Sequence, residues 1–324
     1  MNHGPVEAGR AGAPPPLTKR MPSVHDRSPS RDPVFIVGTG RCGSTILYSL
    51  LAMHPDLAWI PSHLDLAPSV LLLAATARIW NLPGTDRYRE ARFLPKPVEP
   101  NRLFAHWLPE YYSETANPRA VATGRATIVP LLDRIKRYQG KPRFLGKLVG
   151  RPVKVTLLRE LFPGAKFVHI TRGLGATVSS LLRVDFYART QARIDSWKWD
   201  AMPSPFVDYY HDTGDAPEIA AAITIMLNRW QLARQLAQIS APDQLEVGYQ
   251  TLVQDPVETV QRIGERAGLA IDEAFRARIG RRRVYGGADE QWRHHLTDKQ
   301  QRNLLEFERL ARDVEHADVA TPSR

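Results

Sequence analysis

Apolar positions along the chain acquire a period only after Pro33. Val34 to Val37 is an unbroken, partly β-branched run too short for a helix, which predicts a buried strand. Gly38, Gly40 and Gly43 follow, and beyond them Ile46, Leu47, Leu50 and Leu51 share one face of a helix opened by Ser44 and Thr45. A second strand is predicted around Leu57 to Ile60, then a loop from Pro61 to Asp65 and a buried helix over Ala67 to Ala77. Residues 83–125 read as irregular, proline-rich chain carrying Phe104, Trp107, Tyr111 and Tyr112. Arg143 to Leu148 reads as a strand, and Pro152 stands at the first position of a helix bearing Val153, Leu157, Leu158 and Leu161. Pro163 and Gly164 end that helix, Lys166 to Ile170 is another buried strand, and Ala176 to Leu182 begins another helix.

Residues 185–215 are aromatic-rich and irregular, and Pro217 opens a long helix with Ile219, Ile223, Met226, Leu227, Trp230 and Leu236 at core spacing. Gln244 to Tyr249 is the last predicted strand. Asp255 and Glu258 have capping-box spacing, and Thr297 with Gln300 caps a terminal helix whose Leu304, Phe307 and Leu310 face inward.

Strand, helix, strand in this order predicts an α/β fold: a parallel central sheet flanked by helices, linked by right-handed crossovers. It places Lys147 and Arg172 at the carboxyl ends of their strands, the edge at which open α/β sheets bind ligands. The aperiodic Met1 to Asp32, rich in Pro, Gly, Ala, Ser and Arg, is expected to be a disordered tail, with the folded domain over 33–315 and a short tail over 316–324.

Composition narrows this little. With 324 residues, 43% hydrophobic and 24% charged, one large domain is expected. One cysteine excludes an intrachain disulfide framework, and the first thirty residues hold no apolar segment of signal-peptide type, so a cytoplasmic location is expected. No transmembrane segment is expected either, since the longest apolar run, Ala67 to Ala77, is broken by Pro68 and Ser69. The net charge is +10, most of it outside residues 1–32, which hold five basic and three acidic side chains. A small polyanionic ligand or an anionic acceptor would suit that surplus; no RNP strand, zinc finger or other nucleic-acid motif accompanies it, so no nucleic-acid partner is expected. Oligomeric state leaves no mark in the sequence.

The chemistry gathers at PVFIVGTGRCGSTILYSLLAM, Pro33 to Met53. A glycine turn running into a helix N-terminus presents backbone N–H groups and partial positive charge to an anion. The spacing from Gly38 to Gly43 is that of a nucleoside-triphosphatase loop, but Ser44 stands where its lysine belongs, and Arg41 is the only fixed charge. GTGRCGSTILYSLL resembles instead the 5′-phosphosulfate loop of the sulfotransferase family, G-x-P-R-S-G-T-T-x-L, with Gly40 for the proline and Cys42 for the serine. FLGKLVGRP…LLRELFPGAKFVHITRG…VSSLL is similar to that family's E-K-[ST]-P…F-P-x-A-K-F-[IV]-H-[IV]-x-R-D-P…V-x-S, departing at Leu148 and at Gly173-Leu174-Gly175. YQTLVQDP resembles its Y-E-D-L-x-x-D-P.

The resemblance implies a P-loop-like three-layer sandwich with helical or irregular acceptor-facing insertions. It implies a sulfotransferase of the bacterial or carbohydrate-type branch, moving a sulfuryl group from 3′-phosphoadenylyl sulfate (PAPS) to a hydroxyl, less often an amine, of a carbohydrate, lipid or small molecule. PAPS is the co-substrate, 3′,5′-phosphoadenosine (PAP) the product, and no metal is implied. Arg41, Cys42, Gly43, Ser44 and Thr45 would hold the 5′-phosphosulfate, Arg172 and Ser180 the 3′-phosphate, with Tyr249 near the adenine. Arg283 and Arg293, from the basic and glycine-containing stretch that follows, would add contacts to the 3′-phosphate. Lys147 and Arg41 would meet charge developing on the bridging oxygen of the leaving group. The acceptor hydroxyl needs a base. Aryl-type members carry a histidine two residues beyond the lysine, here Val149; carbohydrate-type members use a glutamate in the loop after the second strand, here PSHLD, so His63 is the expected base and Asp65 its alternative. Cys42, beside helix-terminal amides, is expected to have a lowered thiol pKa and to react with thiol reagents unless nucleotide covers it.

Overall fold

Every side chain of β1 (Val34–Gly38) is buried, as a strand covered on both faces requires. In the computed structural model, which describes residues 32–82, 93–112, 117–149, 154–184, 202–282 and 291–320, this strand is the centre of a five-stranded sheet. The other strands are β2 (Leu57–Ala58), β3 (Arg143–Val149), β4 (Lys166–Thr171) and β5 (Gln244–Gly248), in the order β2-β3-β1-β4-β5, and every pairing is parallel. Gly38 stands level with Val149 on one side and Ile170 on the other, so β1, β3 and β4 end on one edge. The connection leaving β1 runs toward β2 and the one leaving its neighbour β4 runs toward β5, in opposite directions, the place where such sheets open a crevice.

Alternation in β1 divides the core. Phe35 and Val37 point to one face, where Phe144, Phe167, Leu132, Leu158 and Leu161 join them. Val34 and Ile36 point to the other, packing with Leu47, Leu51, Leu145, Val168 and Ile263. Each such buried side chain contributes about 1.5–3 kcal/mol, so the two faces together hold the β1 carboxyl end, and the turn after it, in place. A third cluster, built on Val178, Phe206, Ile219, Ile223, Leu304 and Phe307, ties the later helices together.

The helices over the two faces are α1 (Ser44–Leu51), α2 (Ser62–Leu66), α3 (Asn101–Trp107), α4 (Pro118–Gln139), α5 (Val155–Leu161), α6 (Leu174–Leu182), α7 (Ser204–Asp212) and α8 (Pro217–Leu236). After β5 come α9 (Tyr249–Gln254), α10 (Pro256–Ala267), α11 (Glu273–Gly280), α12 (Trp292–His295) and α13 (Asp298–Ala320). Both predicted caps form. Asp255 accepts the Glu258 N–H at 2.9 Å, and Thr297 and Gln300 bond reciprocally, each backbone N–H donating to the other's side chain.

The chain departs from its sequence pattern in several places. The helix expected from Pro152 is described only from its N-cap Lys154, Pro152 and Val153 lying outside the described residues, and Tyr249, expected to end the last strand, begins α9. Pro61 to Asp65 is largely helix, because Pro61 serves as the N-cap of α2 rather than as a loop residue. The apolar stretch after Ala67 is a 3-10 helix over Leu71–Asn81; Pro68 lacks the N–H an earlier start would use, and Leu72 is left 66% exposed. Within 83–125 lie α3 and the start of the 22-residue α4, masked in the sequence by Gly124 and Pro130. Within 185–215 lies α7, while 185–201 fall outside the described residues. The terminal helix α13 runs to Ala320, beyond the expected domain end at 315. The 1–32 tail, apart from Asp32, also falls outside the described residues. No helix among the described residues is long and apolar enough to cross a membrane.

Candidate active site

The turn between β1 and α1 is bent by two left-handed residues, Arg41 at φ 67° and Gly43 at φ 94°. Gly43 is required twice over: its φ suits glycine, and a Cβ there would run into the Tyr249 ring. Arg41 has no such freedom, and left-handed backbone costs a residue like arginine about 1 kcal/mol. What the strain accomplishes is visible in its contacts. The exposed Arg41 guanidinium donates from Nε to Ser180 Oγ at 3.1 Å, and the Arg41 carbonyl accepts from Arg172 Nη1 at 3.4 Å. Arg41 thus meets Arg172 and Ser180, more than 130 positions away in the chain, at the carboxyl edge of the sheet.

Arg172 leaves the end of β4 and lies over the Tyr249 ring, 4.3 Å from its centroid. Its carbonyl accepts from the Nη2 of Arg229, a half-buried arginine on α8. Tyr249 begins α9 and is itself buried, so it forms the floor on which both Gly43 and Arg172 rest. Lys147, near the end of β3, donates from Nζ to Thr45 Oγ1 at 3.2 Å on the first turn of α1. Burial lowers the Lys147 pKa, against the attraction of Glu99. Ser44 is buried beneath the same turn.

Cys42 corrects an expectation. It is 0% exposed, and burial raises its thiol pKa; the hydrogen bonds from Ser44 and the Lys147 charge oppose this but are smaller. Its side chain therefore packs inside the turn, and only its backbone is available to an anion. His63 lies on the first turn of α2, and Asp65 two residues on is engaged otherwise, its Oδ1 accepting the Leu103 N–H at 2.9 Å at the start of α3. Arg283 lies outside the described residues. Arg293 is exposed on α12 with its guanidinium 5.4 Å from the Trp292 ring centroid, and does not line the cavity described next.

Beside Arg172 opens a cavity of about 180 Å³ lined by Arg172, Ser179, Arg183, Tyr249, Trp292 and His295, with Ala176 and Gln291. Arg183 Nη1 and His295 Nε2 are 3.3 Å apart on its wall. Ser179 Oγ is buried and has no hydrogen-bond partner among the described residues. One glycine of the Gly173-Leu174-Gly175 departure now has a reason: a Cβ on Gly175 would stand 2.7 Å from the Trp292 indole, so α12 can close over α6 only at glycine, whereas Gly173 has open space around it. Ser179, Arg183, Arg229, Trp292 and His295 escape sequence reading because nothing but the packing of α6 against α8 and α12 brings them together.

Glu99 also escapes it. The residue sits in the chain before α3 and accepts the Val149 N–H at 2.9 Å through Oε1, directly beyond Lys147 on β3. Burial pushes its pKa up to about 7, partly offset by the Lys147 charge and the Val149 hydrogen bond, with Asp65 adding to the rise. The one sequence signal was an acid between two prolines in an otherwise uncharged stretch, Pro97 to Asn101.

The model of a family described as the sulfotransferase family matches residues 33–273, from β1 to the start of α11. The chain belongs to the sulfotransferase family. Among solved structures, this sulfotransferase is similar to sulfotransferase STF9 from Mycobacterium avium, with 15% identity over 85% of this chain and 76% of that one and a TM-score of 0.51. It is also similar to the sulfotransferase domain from the curacin biosynthetic pathway (15% identity, 86% and 99% covered, TM-score 0.47) and to mouse sulfotransferase SULT7A1 complexed with PAP (12% identity, 90% and 90% covered, TM-score 0.42). No curated protein matches the chain. At these identities the likeness is one of fold: the same parallel sheet with helices on both faces. The enzyme is thus a sulfotransferase in which the glycine turn after β1, Lys147 and Arg172 stand on one sheet edge.

Proposed function

We propose that this sulfotransferase uses PAPS as its donor and transfers the sulfuryl group by in-line displacement to a hydroxyl of a carbohydrate, lipid or small-molecule acceptor. The observation that carries the reading is the meeting of Arg41, Arg172 and Ser180 at one sheet edge, beside a cavity whose buried Ser179 hydroxyl lacks a partner among the described residues. Two anionic ends suit that edge. The turn Arg41 to Thr45, with Lys147 behind it, would take the 5′-phosphosulfate; Arg172 and Ser180, with Ser179 and Arg183 across the cavity, would take the 3′-phosphate. Tyr249 forms the floor between them.

PAPS, when bound, supplies the sulfuryl group and departs as PAP. The protein's part is electrostatic. Lys147 and Arg41 hold positive charge where the leaving oxygen becomes negative, and they are held in place beforehand by Thr45 and Ser180, so little reorganisation is needed as charge develops. Burial lowers the Lys147 pKa, and the same burial raises the worth of its charge to a neighbouring anion.

Calorimetric titration of PAP beside ADP tests this, with wild type, Arg172→Ala and Ser180→Ala. Strong preference for PAP, reduced in both variants, is expected. Equal binding of PAP and ADP would return the cradle to the class of general nucleotide sites.

A further inference from the structure

Glu99 is held as few surface glutamates are. The segment before it pairs with the chain after β2: Pro97 bridges Pro61 in antiparallel fashion, and the Val98 N–H donates to the Ile60 carbonyl at 3.2 Å. On the far side the Asn101 N–H donates to the Glu99 carbonyl at 2.9 Å, and Pro100 caps α3. The backbone is therefore tied before and after Glu99, and its side chain is tied to Val149 at the end of β3. That tie occupies Oε1 alone, and a carboxylate has accepting capacity left on Oε2. An amide oxygen would serve equally for one N–H, so the tie does not explain why an ionisable group is buried here. Three titratable groups act on it: Lys147 from β3, which attracts it, Asp65 from α2, which repels it, and the buried Tyr48 from α1.

We infer that Glu99 is the general base that takes the proton from the acceptor hydroxyl. The inference rests on the sulfotransferase reading above. As the acceptor oxygen bonds to sulfur, its O–H electron pair stays with that oxygen and its proton passes to Glu99. The bond from sulfur to the bridging phosphate oxygen breaks, its electron pair going to that oxygen beside Lys147. Glu99 later returns the proton to solvent. The pair thus divides the labour, with a proton-accepting carboxylate on the acceptor side and a cation on the leaving-group side.

The burial of Glu99 sets its proton affinity near the value a base needs at neutral pH, which fixes the sign of the pH dependence. Below about pH 7 the carboxyl is protonated and idle; the rate rises with pH through about 7 and then levels. The experiment compares wild type, Glu99→Gln, Glu99→Asp and His63→Ala. Turnover of ³⁵S-labelled PAPS is followed from pH 5.5 to 9 with water and 2-naphthol as acceptors. Calorimetry of PAP binding at pH 7 in two buffers of different ionisation enthalpy gives the protons taken up.

Glu99→Gln, which keeps the Val149 hydrogen bond, is expected to lose about 100-fold or more in turnover, to lose the pH dependence, and to bind PAP within about threefold of wild type. Glu99→Asp recovers part of the rate. Wild type takes up a fraction of a proton on binding the anion, and Glu99→Gln takes up none. Turnover and pH profile unchanged in Glu99→Gln, or a loss carried by His63→Ala instead, would overturn the assignment, as would absence of proton uptake in wild type. Should wild type fail to bind PAP, the donor reading falls and this inference with it; PAP binding with an unaffected Glu99→Gln overturns this inference alone.

Discussion

Replacing Glu99 by glutamine should make the protein more stable, by an amount that depends on pH. A carboxyl whose pKa rises from its ordinary 4.5 to about 7 on folding binds its proton more tightly in the folded state than in the unfolded chain. Between those two values the folded protein holds more protons than the unfolded one, so stability falls as pH rises through the window and is level above about 7. Glutamine does not titrate. The advantage of Glu99→Gln therefore starts near zero at pH 4 and grows to its full value by pH 8. At about 1.4 kcal/mol per pKa unit, the rise amounts to about 3 kcal/mol, with the attraction of Lys147 already included. For a domain of this size that is a rise in Tm of about 6 °C. Thermal melts of both proteins at pH 4, 5, 6, 7 and 8 read it directly. A Tm difference that stays the same from pH 4 to pH 8 would refute the reasoning, since it would mean that Glu99 ionises as easily in the folded protein as in the unfolded chain. A stabilised but slower variant is what a buried base entails, because the desolvation that raises its proton affinity opposes its charged form.

Three further outcomes follow from packing. Cys42, buried with its thiol pKa raised, should react with a disulfide reagent in the native protein at under about 1% of the rate in denaturant, with bound PAP making no difference beyond its effect on stability. Gly43→Ala should cost more than about 1 kcal/mol for left-handed backbone alone, and by pushing Tyr249 away it should weaken PAP binding as well; a melt and a titration on one sample read both. Asp255→Ala removes the α10 N-cap and should cost about 1 kcal/mol while leaving PAP affinity unchanged, since α10 packs behind β5 and not at the carboxyl edge.

Much of this was legible in the chain because it is local. β1, the glycine turn, α1, β3, β4 and the N-caps at Asp255 and Thr297 depend on residues a few positions apart, so period and spacing reveal them. Arg172 and Ser180 were legible as a pair eight residues apart on one strand-to-helix unit. Elements whose local signals conflict were not: α4 carries Gly124 and Pro130 inside it, and Leu71–Asn81 follows a proline that disrupts its first turn. The thiol of Cys42 was misjudged for a related reason. Position at a helix start argued for a lowered pKa, but desolvation by the surrounding core is the larger effect, and core contacts are not written in the neighbouring residues.

The family, the parallel sheet, the glycine turn and the two basic residues at strand ends can all be read from the chain alone, because each follows from short-range pattern and a strand's direction. Only the tertiary structure decided what faces them. The bridge from Pro97 to Pro61 carries Glu99 to the end of β3, fifty positions away in the chain, and the packing of α12 on Gly175 closes a cavity around Ser179 and Arg183. Burial and proximity are properties of the folded core as a whole, and it is these that set the protonation of Glu99, Lys147 and Cys42.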